Sequence, residues 1–155
     1  VAPVAFKDTY REDGWRRCAQ MAAPDGITFT PWPHPSLPNW SLPALEAAKC
    51  VARQGEDRFE RVSLALFEAF FTHSRNIADP AVVRAVAAEA GADLSLYDAD
   101  LASGAGREAV VKDYEAAVAE GVRSIPTVIV PETGRALVGL VDAPVYRAAV
   151  EEAAG

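Results

Sequence analysis

The groups with chemistry to offer are few: two cysteines, Cys18 and Cys50, two histidines, His34 and His73, and a proline, Pro126, at the mouth of an apolar run. A redox dithiol would take the form C-x-x-C, and these residues contain none; no Cys/His cluster has zinc spacing either. Trp15, Cys18, Ala19 and Ala22 fall at i, i+3, i+4 and i+7 on one helical stripe, so Cys18 is expected as a buried, inert thiol. Lys49 would lend Cys50 some thiolate character, but Cys50 lies in a helix interior, and inert packing is expected there too. His34, among prolines, and His73, at a helix end, share no ligand spacing and are expected on the surface; no metal site is expected. "SGAGRE" at 103–108 offers helix N–H groups to an anion, but with no preceding strand it reads as a plain interhelical turn. Trp32, Trp40 and the prolines between them either line a groove or fold back as a lid on the helices. The remaining feature is "GVRSIPTVIV" at 121–130, where Ile125-Pro126-Thr127 opens the best strand pattern in the chain. Proline cannot donate to a ladder, so it belongs at strand edges, bulges or first positions.

The elements that would position these groups follow from caps and stops. Val1 to Phe6 is strand-like, and Asp8 is expected to cap a helix to about Ala23, ended by "PDG". "ITFTPWPHPSLPNW" then reads as an extended, proline-rich connector crossing the surface. Ser41, with Pro43 in the first turn, starts a helix to about Gln54. Residues 56–73 become apolar nearly all round, which predicts a helix buried among others. Asp79, Pro80 and Gly91 bound a further helix, Asp93 caps one through Leu101, and another runs from about Arg107 to Glu120. "PTVIV" and "RALVG" read as two strands joined by "PETG", and Asp142 caps a final helix.

Bulk properties exclude several classes. The chain has 155 residues, half of them apolar, with 15 Lys+Arg against 22 Asp+Glu and a net charge of −7. That excess of acid argues against nucleic acid as a partner, and "RRC" at 16–18 is too short a basic run to alter it. No apolar run has the length of a membrane span, so no membrane partner is expected. "VAPVAFKDTY" has no signal-peptide pattern; it reads as a chain entered mid-element or as a processed end with a short edge strand. Two cysteines do not make a secreted disulfide scaffold, and a cytoplasmic setting is expected with both thiols free.

Helix, connector, Ile-Pro-Thr, strand, turn, strand, helix is the second half of a thioredoxin fold. "GVRSIPTVIV" is similar to the cis-proline segment of that fold. With "PALEAAKCVARQG", "LFEAFFTHSRNIADPAVVRAVAAEAGAD", "VVKDYEAAVAEGVRSIPTVIV" and "LVGLVDAPVYRAAV", residues 26–152 resemble the DsbA family, and its FrnE-like branch in particular. The resemblance implies an α/β, thioredoxin-like fold over residues 1–155, with an inserted helical subdomain at 41–104 and the strand–strand–helix at 121–155. It implies a bacterial enzyme, a thiol–disulfide oxidoreductase with no cofactor. Its substrate would be a protein thiol or disulfide, or a small thiol, held by Ile125, Pro126 and Thr127 beside a cis bond; a homodimer is compatible with it. The family's first strand, its C-x-x-C and the helix that it opens would precede residue 1, so none of the 155 residues is expected to be catalytic. Two alternatives keep the fold: a glutathione-dependent isomerase of the 2-hydroxychromene-2-carboxylate type, and a redox-inactive binding module.

Overall fold

Side-chain caps start three of the helices, while Ser41 and Asp142, expected as caps, stand at the N-cap positions of theirs without a side-chain cap bond. In the computed structural model, which describes Val1 to Gly155, the first helix, α1 (Tyr10–Ala22), follows a two-residue strand, β1 (Val4–Ala5). Its cap is Thr9 rather than the expected Asp8: the Thr9 hydroxyl accepts from the Arg11 N–H at 3.3 Å, and Glu12 accepts from the Asp8 N–H at 2.8 Å. "TYRE" is thus a variant of the S/T-x-x-E capping box, and that backbone hydrogen bond draws the Glu12 carboxyl below its ordinary pKa. A short 3₁₀ turn at Ala23–Asp25 ends at Gly26, whose φ of 74° suits glycine.

The chain forms two compact units, Val1–Val111 and Lys112–Gly155. The first contains β2 (Ser36–Leu37), α2 (Leu42–Ala52), α3 (Glu56–Phe71), α4 (Pro80–Glu89), α5 (Leu94–Ser103) and the start of α6 (Ala105–Ala119). Asp79 caps α4 by accepting from Ala81 N–H at 2.8 Å, and Asp93 caps α5 by accepting from Ser95 and Leu96. Gly104, at φ 80°, stops α5 and lets α6 begin at Ala105, two residues earlier than the sequence suggests.

The core of this unit joins α2 to α5. Ala47, Cys50 and Val51 of α2 meet Val62 and Leu66 of α3, Val83 and Val86 of α4, and Tyr97 of α5. Charged pairs tie the rims: Arg53 to Asp100 at 2.8 Å, Arg75 to Glu89 and Arg84 to Asp98, the last two through both carboxylate oxygens.

Two expectations fail in this unit. α3 is not buried all round: Val62, Leu66 and Ala69 face inward, while Leu64 and Phe67 are 62% and 64% exposed. Its inward stripe already fills the space between α2 and α4, so the other apolar face has no neighbour within the bundle. The connector does not simply cross the surface. Phe29 and Trp32 turn in against Trp15, Phe70 and Phe71, and β2 pairs antiparallel with β1 through Val4–Leu37 and Ala5–Ser36. Hydrogen bonds fix this inward course: Trp15 Nε1–H to Thr30 O at 2.9 Å, Trp32 Nε1–H to Ser36 O at 2.8 Å, and Thr30 N–H to Phe71 O at 2.9 Å. Burying indole rings with their N–H groups satisfied gains more than leaving them in water.

The second unit holds the end of α6, an antiparallel hairpin of β3 (Thr127–Val130) and β4 (Arg135–Val138), and α7 (Ala143–Ala154). Val130 and Leu137 pack on Ala149 and Tyr146 of α7, and Arg135 reaches Glu152 at 2.9 Å. β3 pairs with β4 alone; its outer edge carries no ladder.

Candidate functional site

The proline-led segment is built from both ends. Upstream, α6 closes with Gly121 at φ 75°: the Gly121 N–H donates to Val118 O at 3.0 Å and the Val122 N–H to Ala117 O at 2.9 Å. That is a Schellman closure, and it explains the Gly-Val pair. Downstream, the Pro126 carbonyl accepts from the Gly139 N–H at 2.8 Å, which extends the hairpin by one pair beyond Thr127–Val138. Proline has no N–H with which to return the second bond of this pair to the Gly139 carbonyl, so the ladder ends here, where a strand-opening proline is tolerated. The Thr127 hydroxyl donates to Ser124 O at 2.7 Å and closes the bend over Ile125 and Pro126. The Ile125–Pro126 peptide bond is cis.

Ile125 is the outlier. It is 91% exposed, and neither its N–H nor its C=O makes a hydrogen bond within the chain. An exposed large apolar residue with a free backbone donor and acceptor, on a bend pinned from both sides, is suited to pair with an extended chain.

The other groups lie elsewhere. Cys18 is exposed, against the expectation of a thiol packed beside Trp15. Trp15 is the one buried residue of α1, and three residues on, about 60° short of a full turn, Cys18 lies beyond so narrow a stripe. Cys50 is fully buried, and the Gly106 N–H donates to its sulfur. Burial pushes this thiol's pKa up, with the Asp100 and Glu46 carboxylates adding to the effect, so it is a poor nucleophile. Both cysteines are free. His34 is exposed, edge-on to Trp32, and His73 is exposed, 3.4 Å from Glu68. No three His, Cys, Asp or Glu side chains converge on a metal-sized site. Trp32 is in the aromatic core, while Trp40 is 40% exposed on a cleft of the helical unit, so the two tryptophans do not share a groove.

Residues 16–151 match the family model of the DSBA-like thioredoxin domain. The chain belongs to that family. The mixed α/β architecture of this DSBA-like chain is accordingly a thioredoxin-like fold, and the domain type is one typical of thiol–disulfide oxidoreductases. Among curated proteins, none matches the sequence. No helix is long and apolar enough to cross a membrane.

Proposed function

We propose that this DSBA-like chain serves a thiol–disulfide oxidoreductase of FrnE-like kind, in which Ile125, Pro126 and Thr127 hold an extended protein substrate. The observation that carries this reading is Ile125, exposed to 91% with its backbone N–H and C=O unpaired. A peptide laid along it would gain main-chain hydrogen bonds regardless of its sequence, which suits an enzyme that must accept many substrates. The order of elements, a helical block followed by strand, hairpin and helix, supports the FrnE-like assignment. The attacking thiolate lies outside these 155 residues in this reading, since an exposed Cys18 and a buried Cys50 form no dithiol.

The test uses the natural gene product with a peptide whose cysteine is held in a mixed disulfide as substrate, the leaving thiol taking up the electron pair of the broken S–S bond, compared with the same peptide N-methylated at the residues flanking that cysteine. Losing one backbone hydrogen bond is expected to lower kcat/KM by about tenfold, with oxidised dithiothreitol turned over equally in both experiments. Equal handling of the two peptides would overturn the role of Ile125. Absence of any disulfide exchange, with saturable glutathione binding instead, would overturn the oxidoreductase reading in favour of an isomerase.

A further inference from the structure

The helical unit carries a cleft that the reading above does not use. It measures 640 Å³ and lies between Trp40 and Pro43 at the start of α2, Pro80 of α4, Leu101 of α5 and Arg107 of α6. That volume falls within the range of small-molecule sites, roughly 300–1,000 Å³, and the mix of a mostly apolar wall with a few polar groups is typical of them.

The polar side chains of the wall are Glu46, Tyr97, Ser103, Arg107 and Glu108. Glu46 of α2 is buried and accepts from the Arg107 Nε–H. Tyr97 of α5 is 1% exposed, and its hydroxyl makes no hydrogen bond within the chain. The sealed orphan oxygens of the protein are Ser63 Oγ and Ser74 Oγ; the Tyr97 hydroxyl is not one of them, so it keeps a trace of access, and Tyr97 lines the cleft. A buried phenol left without a partner in the chain is costly unless something else supplies one.

Exposure decides the charge of that something. The Glu46 side chain is 10% exposed and the Arg107 side chain 56%, so the guanidinium is the accessible charge of the pair. Glu46 holds the Nε edge, which leaves the terminal amino groups of Arg107 in the fork geometry that carboxylates fit. Glu108, exposed at the rim, opposes an anion and sets a sign that can be measured. Trp40 and the two prolines supply apolar surface to the same lining.

We propose that this cleft binds a small aromatic monocarboxylate, its carboxylate on Arg107 and the Tyr97 hydroxyl and its ring on Trp40.

Phenylacetate is the probe, titrated into the whole ¹⁵N-labelled chain, with phenethylamine and phenylacetamide as the cationic and neutral counterparts. Saturable shifts of the Trp40 indole N–H and the amides of residues 103–108 are expected with phenylacetate in the millimolar range, and at least tenfold weaker binding with the other two. Tyr97→Phe should weaken binding severalfold with the fold intact. Glu108→Gln, a surface change, should tighten it. Arg107→Gln alone would strand Glu46, so the double change Glu46→Gln/Arg107→Gln is the companion, expected to abolish the preference for the carboxylate. Binding of phenethylamine in preference, shifts that do not saturate, or a Glu108→Gln variant that weakens phenylacetate binding would each overturn the proposal.

Discussion

Gly106 shows how much a single hydrogen atom can decide. A Cβ at that position would stand 2.7 Å from Cys50 Sγ and 2.8 Å from the Glu46 carbonyl oxygen, one of them backbone that cannot swing aside. Gly106→Ala is therefore expected to destabilise the protein by about 1–3 kcal/mol, read as a lower urea midpoint with an unchanged m-value. The sequence offered "SGAGRE" only as a turn, because nothing local tells that the second glycine lies against a helix some sixty residues earlier. Tyr97 couples stability to pH. Burial raises its pKa from 10.0 to about 12, with Cys50 the next cause, so between those values the unfolded chain releases a proton that the folded chain keeps. Stability is then complete below the ordinary tyrosine value and falls as pH rises through the window, by on the order of 2 kcal/mol. Urea unfolding on either side of pH 10 should show the fall, and Tyr97→Phe should remove most of it. Cys50 is shifted in the same direction and adds a loss that begins at lower pH.

At the scale of elements, α3 separates two kinds of leucine. Leu66 is 6% exposed in the core and Leu64 is 62% exposed two residues away. Leu66→Ala is expected to cost about 2–5 kcal/mol and Leu64→Ala within about 0.5 kcal/mol, compared by urea unfolding of the two variants. Their identical side chains explain why the sequence could not tell them apart and instead suggested a helix buried all round. Where punctuation is chemical, the sequence was legible: Asp79, Pro80 and Gly91 around α4, Asp93 before α5 and "PETG" between β3 and β4 act within a few residues. The connector at 27–40 was not, since its prolines announce extended backbone but say nothing of Trp32, which meets Trp15 and Phe70 through contacts distant in sequence. The cleft near Trp40 was hidden for the same reason. Its walls come from four helices, and no window of the chain contains two of its charged groups except Arg107 and Glu108.

On the scale of the molecule, the family and the bend at Ile125–Thr127 are encoded differently. The order of elements makes the family readable from end to end, whereas the free backbone of Ile125 is visible only once Pro126 is seen to pair with Gly139 and Thr127 with Ser124. The hairpin has a further consequence. In the register Val128–Leu137 and Val130–Arg135, Thr127 and Ile129 turn their N–H and C=O groups away from β4, and Val138 on the same sheet face is 60% exposed. Such an edge is a template on which another molecule of the protein can add a strand. A shared charge of −7 opposes that addition, and the repulsion reaches only about 10 Å in 0.1 M salt. Colloidal behaviour should therefore follow ionic strength: the mass seen by light scattering rises as salt is added, and Ile129→Glu, which puts a further negative charge on the edge strand, holds the protein monodisperse.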